Sequence, residues 1–156
     1  MEAIGAGASV LAFVTLGLKS VKIINEIVAS VKDGKVFLEQ TRQDIQGLQA
    51  TLEKLRDCRA IVDRNDHQLA DKIKSCAEEM KGIAEKLQAL AINGSEPALG
   101  RQWKKVKIFL KEKDLERIAT TAVKHTTALT LYLQTISRYL SLAVFTCLSA
   151  NDQSPQ

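Results

Sequence analysis

The stretch from Leu69 to Leu90 fixes most of what this chain can become. Leu69, Ile73, Cys76, Met80, Ile83, Leu87 and Leu90 recur at steps of three and four residues. That spacing lines up one face of an α-helix and no face of a strand. The same stripe recurs elsewhere. Leu38, Ile45, Leu48, Leu52, Leu55 and Val62 carry it through the second quarter of the chain. Leu115, Ile118, Ala122, Thr126, Leu129, Leu133, Ile136, Leu140 and Val144 carry it through the last. Val21, Ile24, Ile27, Val28 and Val31 fall on one arc at about 100° per residue, with Lys22, Asn25, Glu26 and Ser30 off it. No run alternates apolar and polar residues as a strand would. The expected fold is all-α: an antiparallel bundle of four long helices plus one short basic helix, its N-terminal helix apolar and largely buried.

Breakers set the boundaries. Asp33-Gly34 ends a first helix predicted over Ser9 to Lys32. A second is predicted over Val36 to Val62. Asn65-Asp66 punctuates, and Asp66 suits the N-cap of a third helix over His67 to Ile92. Asn93 to Gly100, "NGSEPALG", is the clearest loop. A short helix is expected over Arg101 to Lys111, and Asp114 as the cap of a last helix reaching Ser149. Residues 1–149 thus form one domain, and 150–156, ending "NDQSPQ", a polar tail or the start of a linker.

Composition agrees. Of the 156 residues, 46% are apolar and only 4% aromatic, so the core must be aliphatic. The net charge of +4 suits an anionic partner. Cys58, Cys76 and Cys147 are widely spaced, with no CxxC pair, and His67 and His125 stand on different segments. That pattern reads as reduced thiols in a cytoplasmic protein without a metal site, since zinc frameworks need closely spaced ligands.

Signatures of catalysis are missing from the sequence: no GxGxxG, P-loop, GxSxG or HExxH is present. "GAGAS", Gly5 to Ser9, lacks the lysine of a phosphate loop. Glu78, Glu79, Lys81, Glu85 and Lys86 read as a solvated face with i,i+4 pairs. His125 flanks the last stripe and is expected to pack or to serve an interhelical contact. The chain is therefore not expected to be an enzyme or to need a cofactor.

Two segments stand out. Ala3 to Leu18 carries no charge and, wound as a helix, is apolar all round. Such a helix must be surrounded by other helices or by lipid; a signal peptide is disfavoured by Glu2 and by the lack of a cleavage site. At rest it is expected in the core. Its 16 residues would span roughly 24 Å at about 1.5 Å each, short of the ~30 Å hydrocarbon slab. Constitutive spanning is thus marginal, while conditional insertion through Ile4, Val10, Leu11, Phe13, Val14, Leu16 and Leu18 is feasible. The second segment, "RQWKKVKIFLKEK", carries Arg101, Lys104, Lys105, Lys107, Lys111 and Lys113 against Glu112. Trp103, Val106 and Leu110 share one helical arc beside Lys104, Lys107 and Lys111. It reads either as a short bundle helix with a solvated basic edge or as a contact for anionic lipid. Nucleic acid is not expected, because no groove-reading motif or stacking platform accompanies it.

The opening "MEAIGAGASVLAFVTLGLKSVKIINEIVASVKDG", then "DIQGLQATLEKL", then "WKKVKIFLKEKDLERI" with His125 and Leu129 following, resembles the fungal HeLo-like group. These are N-terminal domains of fungal STAND (NLR-type) receptors, distantly similar to the four-helix executioner domain of the mixed-lineage-kinase-domain-like pseudokinase. The resemblance implies a cell-death effector of fungal incompatibility or immunity, cytoplasmic at rest. A receptor or partner would oligomerise it, and it would then permeabilise the plasma membrane, with Ala3 to Leu18 as the acting segment. The competing expectation is a homotypic oligomerisation module of such a receptor with no lipid role.

Overall fold

The computed structural model describes residues 6–30, 36–64, 66–92 and 112–151, and side chains within 10–29, 38–58, 60–64, 66–89 and 112–138. The described residues form five helices and no strand: α1 Ala6–Ser30, α2 Val36–Asp57, α3 Arg59–Val62, α4 His67–Ile92 and α5 Glu112–Asn151. The expected all-helical bundle is what the chain adopts. The loop at Asn93 to Gly100 and the short basic helix at Arg101 to Lys111 lie outside the described residues.

The stripes become the core. Val21, Ile24, Ile27 and Val28 of α1 are buried, as are Leu38, Ile45, Leu48, Leu52 and Leu55 of α2 and Val62 of α3. Leu69, Ile73, Cys76, Met80 and Leu87 of α4 join Leu115, Ile118, Ala122 and Leu129 of α5 in the same cluster. Among the described residues α1 packs against α4 and α2, while α5 packs against α2 and, less extensively, α4. Only five residues separate α1 from α2, too few to travel back along a helix of that length, so the two run antiparallel.

Asp66 caps α4 as its position suggests. Its Oδ1 accepts hydrogen bonds from the backbone N–H of Gln68 at 3.0 Å and of Leu69 at 3.1 Å. Elsewhere the boundaries differ from expectation. The helix expected over Val36 to Val62 is interrupted at Cys58. The interruption is slight: Cys58 N–H still donates to Lys54 O at 3.1 Å, and Val62 N–H to Cys58 O at 3.2 Å. The last helix already includes Glu112, so Asp114 sits inside its first turn instead of capping it; there its carboxylate suits the positive end of the helix dipole.

α1 runs unbroken through Gly17. A Cβ at that position would stand 3.3 Å from Leu52 Cδ1 and 3.8 Å from Ala77 Cβ. The missing side chain is thus what lets α1 approach α2 and α4 at one point.

Candidate functional site

The described part of α1 is sided, not apolar on a closed circumference. Val10, Val14, Gly17, Leu18 and Ser20 are buried. Leu11 is 43% exposed, and Ala12 and Thr15 are exposed beside it, with Phe13 and Leu16 half-buried. Lys19, Lys22 and Glu26 continue the exposed face toward the C-terminal end. The first half of that face is therefore uncharged and partly apolar, and the second half is charged. The hydroxyls of Thr15 and Ser20 donate to the carbonyls of Leu11 and Leu16 at 2.8 and 2.9 Å, so they make no polar demand on a neighbour.

Of the seven residues expected in the apolar segment, Val10, Val14 and Leu18 thus sit in the core, Leu11 faces out, and Phe13 and Leu16 lie between. Ile4 lies outside the described residues. So do Arg101, Lys104, Lys105, Lys107 and Lys111 of the basic patch; Lys113 is exposed in the first turn of α5. Among the described residues no helix is long and apolar enough to cross a membrane.

A second polar feature ties α4 to α5. Glu79, exposed on α4, reaches across to α5. Its Oε1 accepts from Lys124 Nζ at 2.9 Å, and its Oε2 lies 3.0 Å from Nε2 of buried His125. The Lys124 hydrogen bond holds the Glu79 carboxyl below the usual carboxylate range against the cost of burial, helped by His125. An ionised carboxylate only accepts, so His125 Nε2–H is the donor. The face expected to be solvated is exposed at Glu78, Glu79, Lys81, Glu85 and Lys86, and its Lys81–Glu85 pair forms at 3.7 Å; Glu79, though exposed, also joins the interhelical seam. One turn earlier, burial pushes the Cys76 thiol up to about 12, with the Glu79 charge adding to it. A thiol so held is a poor nucleophile.

Further along the seam the Tyr132 hydroxyl donates to Asp66 Oδ2, and Lys72 Nζ stands 5.9 Å from the Tyr132 ring centroid. Glu79 pairs with His125 and Asp66 with Tyr132, so moving back along α4 moves forward along α5: the pair is antiparallel. Each polar group here has a partner in the fold. Among the described residues no cluster of His, Cys, Asp and Glu is placed to hold a metal ion.

Fold and side chains together describe a helical bundle with a polar seam between α4 and α5 and with large apolar side chains exposed at Leu11 of α1 and at Val123 and Leu131 of α5. The chain belongs to the family described as the N-terminal domain of the pigment biosynthesis cluster protein PigL, whose model matches residues 1–150. No curated protein and no solved structure matches it.

Proposed function

We propose that this domain is a cell-death effector that acts on the plasma membrane when it is clustered, and that it is held in the cytoplasm until then. The observation that supports this reading is the half-face of α1, with Leu11 and Ala12 exposed, Phe13 and Leu16 half-exposed, and Lys19 and Lys22 following on the same helix. An arc of that kind suits a helix lying in the plane of the headgroups, apolar side down and ammoniums toward anionic phosphates. Each basic residue near such a surface adds about 1 kcal/mol. Lys113 and the basic run beginning at Arg101 add to the same attraction. Clustering multiplies these weak contacts, so self-association is the switch. The cognate partner would be a STAND-type receptor or further domains of one.

Magnitudes order the steps. Val10, Val14, Leu18, Val21, Ile24, Ile27 and Val28 are all buried. At about 1.5–3 kcal/mol each, moving them into water costs about 10–20 kcal/mol. That matches or exceeds the whole stability of an ordinary domain, about 5–15 kcal/mol. α1 therefore does not leave the bundle through water. Surface contact through the exposed half-face comes first, and the buried half enters lipid as it leaves the core.

The test is binding to anionic liposomes and release of trapped dye, with the chain alone and clustered through a dimerisable fusion tag. Leu11→Glu changes an exposed residue, so the bundle stays folded by circular dichroism while binding and leakage drop at least about tenfold. Leu131→Glu, at a position 59% exposed on α5, leaves both intact. If clustered protein neither binds nor leaks the vesicles, or if Leu11→Glu matches the parent, the reading fails.

The adaptor alternative draws on a different observation: Val123 and Leu131 are both exposed on α5. Under that reading Leu131→Glu abolishes self-association and cell killing, and Leu11→Glu leaves killing unchanged.

A further inference from the structure

Among the described residues, Glu79 with His125 and Asp66 with Tyr132 tie α4 to α5. Toward the C-terminal end of α4, past Glu79, a cavity of about 350 Å³ opens between the helices. Its floor is aliphatic, with Leu87 and Ile118 buried and Ile83 half-buried. Its rim carries Lys86 from α4 and Arg117 from α5, both exposed, with Ala89 and Asp114 beside them. Small-molecule sites are mostly apolar clefts of about 300–1,000 Å³ with a few polar groups fixing orientation. This one falls at the small end of that range.

We propose that this groove binds the aliphatic chain of a long-chain carboxylate, with the tail on Ile83, Leu87 and Ile118 and the head between Lys86 and Arg117. The two cations come one from each helix and together place positive charge on the rim. The guanidinium of Arg117 offers two parallel N–H donors, which match the two oxygens of a carboxylate. Asp114 is the acidic group on the rim; its charge opposes a bound carboxylate, and the two cations outnumber it. Among the described residues the floor side chains are apolar, so an apolar tail leaves none of them with an unpaired polar group. The site is separate from the exposed half-face of α1, and its occupancy is measured without a membrane.

The experiment is isothermal titration calorimetry of the full chain with laurate below its micelle concentration, beside the neutral 1-dodecanol. Laurate is expected to saturate one site and to bind more tightly than dodecanol. Arg117→Gln and Lys86→Gln, both at exposed positions, each weaken laurate by about tenfold, the usual scale for losing a hydrogen bond to a charged group. Ile83→Trp fills the groove and abolishes binding; where it fails to fold, the two rim variants decide alone. Absence of saturable binding overturns the proposal, and that is the outcome if residues 93–111 or a second copy fill the groove. Equal affinity for dodecanol overturns it too, as does laurate binding unchanged in Arg117→Gln and Lys86→Gln, or in folded Ile83→Trp.

Discussion

Replacing Asp66 by alanine removes two kinds of support at once. Oδ1 takes the N–H groups of Gln68 and Leu69 at the start of α4, and Oδ2 takes the Tyr132 hydroxyl from α5. Loss of an N-cap costs about 0.5–2 kcal/mol. Loss of a hydrogen bond to a charged group costs about 1.5–3 kcal/mol, and the low end applies because Asp66 is only partly buried. The expected loss is about 2–4 kcal/mol, and at about 2–4 °C per kcal/mol for a chain of this size the melting temperature falls by roughly 5–15 °C. Tyr132→Phe removes the interhelical bond alone and costs about 1–2 kcal/mol. The double variant costs less than the sum, since both singles delete the same bond. Urea unfolding followed by circular dichroism measures all three. A loss below about 0.5 kcal/mol for Asp66→Ala, or strict additivity, refutes the reasoning.

The pH dependence follows from the same bond. The Tyr132 hydroxyl, with the two backbone N–H groups, holds the Asp66 carboxyl below its usual value despite burial. A depressed folded pKa gives stability that is full above the unfolded value, about 3.9, and is lost as pH falls through the folded one. The gap between parent and Asp66→Ala therefore stays constant above about pH 5 and closes in acid.

Three further outcomes are expected. Burial, with the Asp66 bond second, pushes the Tyr132 phenol up to about 12. That contribution is full below the ordinary value of about 10 and is lost as pH rises through about 12; ultraviolet titration of Asp66→Asn should lower the midpoint only part of the way. Peptide mapping after maleimide labelling of the native protein should find Cys58, which is partly exposed, modified well before buried Cys76. Gly17→Leu, which overfills the point where α1 meets Leu52 and Ala77, should destabilise by about 1–3 kcal/mol in urea unfolding; Gly17→Ala should fall within about 1 kcal/mol of the parent, because the helix-propensity gain offsets the 3.3 Å contact.

The sequence shows most clearly what depends on period. α4 begins and ends where its stripe and Asp66 put it, because an N-cap and an unbroken three-four pattern are both local signals. The interruption at Cys58 leaves no such mark. Leu55 and Val62 are seven residues apart, so the apolar face continues across it, and no glycine or proline announces it. In the sequence Glu79 looks like its neighbours Glu78 and Glu85, because only charge pairing within a helix is legible, at i,i+4. Its true partners lie 45 and 46 residues away, and only the packing of α4 on α5 brings them together. By composition the apolar opening reads as a helix needing cover on all sides. Composition carries no information on how many neighbours a helix receives, and α1 receives cover on one side only over its described side chains. That difference also separates the useful variants: Leu11→Glu tests a surface, whereas Val14→Glu buries a charge and tests folding.

The most direct measurement is the depth of a nitroxide label at position 11 and at position 14 of clustered protein on anionic vesicles, read by collision with oxygen and with a water-soluble nickel chelate. The label at position 11 is expected to favour oxygen and lose contact with nickel as soon as the protein binds. A label at position 14, which is buried in the bundle, starts closed to both reagents and should gain oxygen contact only when dye is released. A position 11 label that stays open to nickel on vesicles the protein has bound and permeabilised would contradict a membrane role for the exposed half of α1.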